Sequence, residues 1–184
     1  MRITDLLDKR SISLDAVCTS KSDALDQAVA LMVKSGKIND EEAYRKQVYL
    51  REEESTTGIG EGIAIPHGKC DAVTKPGLAA MVIKDGVDFD SLDDEPVNLL
   101  FLIAAPNTED NIHLDVLSKL SMLLMDENFV ENLKNASSVD EFLQIVDAAD
   151  EEKPDLNDQL AAQTETEGAV CKIIAVTSCP TGIA

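Results

Sequence analysis

His67, Arg51 and Cys179 are the side chains whose setting in this sequence suggests chemistry. His67 closes the run Thr57-Gly-Ile-Gly-Glu-Gly-Ile-Ala-Ile-Pro-His67-Gly68, with Gly58, Gly60 and Gly62 upstream and Gly68 directly after it. Glycine lets backbone N–H groups gather around an anion and reach angles that other residues resist. Pro66 fixes its own φ and holds Ile65 extended, so the histidine is presented at a defined angle after the β-like segment Gly62-Ile-Ala-Ile. A neutral imidazole nitrogen is a good nucleophile towards phosphorus, so the chemistry suggested is capture and release of a phosphoryl group. Such a transfer spreads charge over three equatorial oxygens and needs positioned cations and N–H donors more than acid–base groups. Backbone donors of Gly58–Gly62, the hydroxyls of Thr56 and Thr57, and a bidentate guanidinium from Arg51, sixteen positions before His67, could meet that need.

Ordinary readings compete with this one. A histidine beside Gly and Pro is commonly a turn residue, Arg51 alone reads as a surface arginine on a helix, and His113 alone as a helix-boundary residue. The glycines form Gly-x-Gly-x-Gly after a helix-like run and before a strand-like one, the reverse of a dinucleotide fingerprint. No Gly-x-x-x-x-Gly-Lys-Ser/Thr occurs, so a phosphoryl donor other than a nucleotide held in a P-loop is required. A metal set could be drawn from His67, Cys70, Asp71 and His113, but the paired short spacings of structural zinc sites are missing, and no metal or other cofactor is expected. No Gly-x-Ser-x-Gly elbow points to a hydrolase.

The elements that must position these residues follow from 184 residues, 44% hydrophobic, with 3% aromatic and no Trp, so the core must be aliphatic. Sixteen Lys and Arg against 35 Asp and Glu leave a net charge of −19, which repels nucleic acid and anionic membranes and favours a more basic protein partner. Charges appear within the first residues, and no apolar run approaches the roughly 20 residues of a membrane span, so neither a signal peptide nor membrane insertion is expected. Cysteines at 18, 70, 171 and 179 form no disulfide framework, as suits a reduced cytoplasmic chain.

Residues 3–15 read as a helical turn and a short alternating strand. A helix begins near Ser22 and stops at Gly36. A second, N-capped by Asp40, runs to about Glu53. Residues 78–83 read as a buried strand, Asp85-Gly86 as a turn and residues 87–89 as a short edge strand. Residues 97–105 form the most hydrophobic, central strand. Helices are expected over 112–125, from about Asn128 to Leu133, and after a Ser138 cap. The pattern predicts a layered α/β domain whose mixed sheet is flanked by helices. From Asp147 the composition turns acidic and poor in large apolar residues, as in a solvated linker; at Val170 a new strand-like run begins.

Glu52, Ile59-Gly60 and Ile63-Ala-Ile-Pro-His67-Gly68 resemble the phosphorylation-site signature of the fructose/mannitol-type (type-2) enzyme IIA domain of the bacterial sugar phosphotransferase system. The resemblance covers residues 1–148, followed by an acidic linker at 149–169. It implies that His67 accepts phosphate from the carrier protein HPr and donates it to a cysteine of a IIB domain. It also implies that Arg51 stabilises the phosphate and that His113 supports the ring or the phosphate. Residues 170–184, with Cys179-Pro-Thr-Gly at the end of a strand, resemble the opening of a fructose-type IIB domain, and the family then implies a membrane IIC component. Cys179 would be the phosphate-accepting cysteine of the intact protein. Here the chain stops five residues later, so the tail is expected to be disordered and the thiol idle. The alternative is a regulatory module of the nitrogen-regulatory IIA type, which signals through its phosphorylation state. An inert acidic scaffold would explain neither the glycine run nor the tail.

Overall fold

A computed structural model describes residues 2–108 and 111–152. The expectations for Cys179, for residues 170–184 and for most of the acidic segment lie outside the described residues.

Local signals set the helix starts. The Ser20 side chain accepts from the Asp23 N–H to open α2 (Lys21–Lys34), and Asp40 accepts from the Ala43 N–H to open α3 (Glu41–Glu54). Gly36 follows α2 with φ +75°, the left-handed geometry that ends a helix. Ahead of them, α1 (Ile3–Leu6) leads directly into β1 (Leu7–Ser13). The glycine run forms two short strands, β2 (Gly58–Gly60) and β3 (Ile63–Ala64), and His67 opens a third, β4 (His67–Lys69). The long strands β5 (Gly77–Val87) and β6 (Val97–Ala105) follow, then α4 (Ile112–Leu124), α5 (Glu127–Asn135) and α6 (Val139–Glu152).

The six described strands form one mixed sheet in the order β1-β5-β6-β3-β2, with β4 also paired to β6. β6 is central, as its apolar run predicts. It is antiparallel to β5 and parallel to β3 and β4, which run one after the other along its far edge: Ile63 pairs with Leu99, and His67 with Ile103. Pro66 sits between the two segments, where its missing N–H costs no ladder bond, while its carbonyl still accepts from Ile103 N–H at 3.0 Å.

Period-two alternation sends the long strands' side chains into two cores. Ala79, Met81 and Ile83 with Leu100, Leu102 and Ala104 meet α2 and α3. Leu78, Ala80 and Val82 with Leu99, Phe101 and Ile103 meet the other helices, where Phe101 and Phe142 stack tilted at 6.2 Å. Each fully buried Leu, Ile or Phe contributes roughly 1.5–3 kcal/mol, so this aliphatic sheet needs few aromatics.

Two local expectations change. Asp85-Gly86 is not a turn between strands: β5 continues to Val87 through a register shift, with Gly86 at φ +71°. Nor does the acidic composition from Asp147 open a linker at once, because α6 runs to Glu152. Its carboxylates have partners: the Thr4 hydroxyl donates to Asp147, and the buried Asp150 accepts from Ile3 N–H at 2.8 Å and pairs with Lys119 at 2.7 Å.

Candidate active site

The cleft around His67 exists because a helix comes unusually close to a strand. On β4, Gly68 points at α3. A Cβ there would stand 3.0 Å from Val48 Cγ2 and 3.1 Å from Tyr44 Cε2. Without that side chain α3 can lie on β4, and the buried Tyr44 hydroxyl donates across to the Ile103 carbonyl at 3.0 Å. Alternation along β4 turns His67 and Lys69 the other way, into a cleft that Gln47, Leu50, Arg51, Glu53 and Glu54 of α3 line together with His113.

Both nitrogens of the half-buried His67 ring are assigned by their partners. Arg51 Nε–H donates to Nε2 at 3.0 Å, and a guanidinium has no acceptor, so Nε2 must hold a lone pair. The proton is then on Nδ1, 3.2 Å from the Ile65 carbonyl, to which it donates. Burial lowers the pKa of His67 most, with the Arg51 and His113 charges adding to the effect; the Ile65 carbonyl and Glu52 oppose it. The ring is therefore neutral at physiological pH. Arg51 is steadied in turn by the Ser55 carbonyl and hydroxyl, each at 3.3 Å. Burial and the nearby Lys69 ammonium likewise lower the pKa of His113, whose Nδ1 is buried with no hydrogen-bond partner among the described residues. A neutral nucleophilic nitrogen in an open cleft beside a guanidinium and an ammonium suits transfer of a dianionic group.

A sequence profile of the family described as "Phosphoenolpyruvate-dependent sugar phosphotransferase system, EIIA 2" matches residues 5–149. The chain belongs to this family. Over all 184 residues it is 44% identical to the PTS system fructose-specific EIIABC component of Bacillus subtilis (strain 168), and it spans 29% of that protein's length. Its fold is similar to the crystal structure of nitrogen regulatory protein IIA-Ntr from Neisseria meningitidis, with a TM-score of 0.73 at 30% identity, covering 78% of this chain and 98% of that one. It is also similar to a chain of the Escherichia coli complex of enzyme IIAMTL with phosphorylated enzyme IIBMTL, with a TM-score of 0.67 at 33% identity, covering 76% of this chain and 96% of that one. Residues 5–149 are thus a type-2 IIA domain of the phosphoenolpyruvate-dependent sugar phosphotransferase system. Among the described residues no helix is long and apolar enough to cross a membrane.

Within the IIA domain, Arg51, His67, Gly68 and His113 come together, and the remaining glycines do not join them. Gly60, Glu61 and Gly62 all have positive φ and make the β2–β3 turn. The Gly62 carbonyl accepts from Asn98 and Leu99 N–H, four residues along β6 from His67's partner Ile103, which is roughly 13 Å at strand spacing. Gly58 packs against Ser91, where a Cβ would lie 2.6 Å from its hydroxyl. Thr56 and Thr57 are also used elsewhere: Thr56 bonds the Phe89 carbonyl at 3.0 Å and Thr57 bonds Glu52. Cys70 turns into the core beside Tyr44, and Asp71 accepts from Asn107.

Sequence reasoning missed Lys69, although its place two residues beyond His67 puts it on the same side of a strand. It also gave Glu52 no role. The signal there was a carboxylate on the stripe Tyr44, Val48, Glu52, the three buried residues of α3.

Proposed function

We propose that His67 is the residue of this IIA domain that carries the phosphoryl group, and that Nε2 is the atom. The observation that carries the reading is the pair of bonds fixing the ring: Arg51 Nε–H on Nε2 at 3.0 Å and the Ile65 carbonyl at Nδ1. The Nε2 lone pair attacks the phosphorus of a phosphohistidine on HPr. As the Nε2–P bond forms, the donor's N–P bond breaks and its electrons return to the donor imidazole. The phosphorylated ring now bears positive charge, and its Nδ1–H rests on the Ile65 carbonyl, which offsets that charge. Arg51 exchanges the lone pair for the phosphoryl oxygens, with Lys69 and His113 beside it. In the second step the thiolate sulfur of a IIB domain attacks phosphorus, the Nε2–P bond breaks towards Nε2, and a P–S bond forms. That sulfur belongs to Cys179 of a IIB domain, and the sugar is of the fructose type, taken up through a membrane IIC component from the cytoplasmic side.

Incubation with phosphoenolpyruvate, enzyme I and HPr is expected to label the chain with acid-labile phosphate and to leave His67→Ala unlabelled. Full labelling of that variant would remove the proposal. Similarity to IIA-Ntr favours a second reading, a module that signals through its phosphorylation state. Transport by cells carrying a full-length version separates the two: uptake lost with His67→Ala belongs to the carrier, and uptake unaffected by it to the regulator.

A further inference from the structure

We propose that Glu52 is a positioning residue, a buried brace that sets the tautomer and orientation of the His67 ring. Its carboxylate is 5% exposed, yet it stands on the buried stripe of α3 where an apolar residue would pack more cheaply. Three donors converge on it: Thr57 N–H at 2.9 Å, the Thr57 hydroxyl at 2.6 Å and Lys21 Nζ at 2.8 Å. Lys21 is itself held, with its ammonium 5.0 Å from the centroid of the Phe89 ring.

From Glu52 two short routes lead to His67, one to each ring nitrogen. Along the helix, the neighbouring residue is Arg51, whose Nε–H occupies Nε2. Through the loop, Glu52 fixes Thr57, the Thr57 carbonyl accepts from Ile65 N–H at 3.1 Å, and the Ile65 carbonyl takes the proton of Nδ1. One carboxylate therefore holds both the end of the helix that carries Arg51 and the segment between β3 and β4 that carries the Ile65 carbonyl. If either slipped, the ring would lose the bond that distinguishes its two nitrogens, and the wrong one would face the incoming phosphorus. Glu52 touches neither ring nitrogen, and its three partners leave it no part in proton transfer.

The kinetic part of this inference rests on His67 being the phosphoryl acceptor; the tautomer part does not, because it is read in the unphosphorylated chain. The experiment is nitrogen NMR of ring-labelled histidine in the 184-residue chain, beside steady-state transfer from phospho-HPr, for wild type, Glu52→Gln, Glu52→Ala and Thr57→Val. Wild type is expected to show protonated Nδ1 and lone-pair Nε2. Gln keeps the shape: its oxygen still accepts from Thr57 N–H while its NH2 donates to the Thr57 hydroxyl oxygen, so it should keep that pattern. Ala should show mixed tautomers and a kcat lower by roughly ten- to a hundredfold with KM little changed, the scale of a small misplacement at a reacting group. Should Glu52→Ala not fold, Thr57→Val deletes only the hydroxyl arm and is expected to give a partial tautomer change. A folded Glu52→Ala with wild-type ring signals, a loss confined to KM, or unaltered signals in Thr57→Val would each overturn the proposal. Labelling that persists in His67→Ala would instead undo the functional reading and leave the tautomer result standing.

Discussion

At neutral pH the His67 ring is uncharged because burial opposes the imidazolium and the Arg51 guanidinium adds to that opposition. Its ordinary pKa is 6.5 and the shift is downwards, so the unfolded chain takes up the proton first as pH falls. Stability should therefore decline once pH drops below about 6.5 and level off below the folded-state value, and His113 acts in the same direction. Denaturant midpoints measured between pH 5 and pH 8 check the sign, and a His67→Gln chain should show a shallower fall. The phosphorylation rate should hold as pH falls through 6.5 and drop only nearer the lowered pKa, for as long as Nε2 keeps its lone pair. Arg51→Met removes a lowering cation and uncovers the ring, so the His67 pKa should rise, and transfer should slow by roughly a thousandfold, the scale of an arginine that neutralises a moving phosphoryl group. A proton NMR titration showing an unchanged or lower His67 pKa in that variant would count against this electrostatic picture.

For the elements, the decisive fact is the approach of α3 to β4 over Gly68. Gly68→Ala sets a methyl 3.0 Å from Val48 Cγ2 and should destabilise the fold by about 1–3 kcal/mol through overpacking. Because the clash lies under α3, the Arg51–His67 bond should lengthen as well, and transfer should fall by more than the stability loss explains at temperatures where the chain stays folded. Chemical denaturation and phosphotransfer on one sample test both; a stable Gly68→Ala chain with full activity would show that the close approach is not needed. Helix starts and the apolar strands were legible in the sequence because capping and alternation are local features, and the Pro-His-Gly run on which the proposal for His67 rests is local too. What Gly68 and the upstream glycines do was not legible. A glycine that gives backbone donors to an anion and one that admits a neighbouring helix read alike until the helix is placed. Thr57 was misjudged for the same reason, since the carboxylate it serves lies on a different element. The turn expected at Asp85-Gly86 failed because a Gly with positive φ fits a strand irregularity as well as a hairpin.

Across the whole molecule, charge has two roles. Acidic composition marked the segment from Asp147 as solvated, yet Asp150 ties the end of α6 to Ile3 and to Lys119, so the two ends of the folded unit hold each other. Asp150→Ala should cost roughly 2–4 kcal/mol, somewhat below a fully buried pair because Lys119 keeps some contact with water. A fragment ending at Ala148 should melt below one ending at Lys153; equal melting temperatures would show that the last turn of α6 is dispensable. The net charge of −19 suits the second role, steering a more basic partner; with HPr as the proposed donor, the bimolecular rate should fall by roughly tenfold from low to physiological salt. Stopped-flow transfer at several salt concentrations reads this directly, and a flat response would mean that encounter is not steered by charge. The most direct test is to phosphorylate the chain with ring-labelled histidine and measure phosphorus–nitrogen coupling: the geometry predicts a single phosphoryl group bonded to Nε2 of His67, and bonding to Nδ1 or to any other side chain would contradict it.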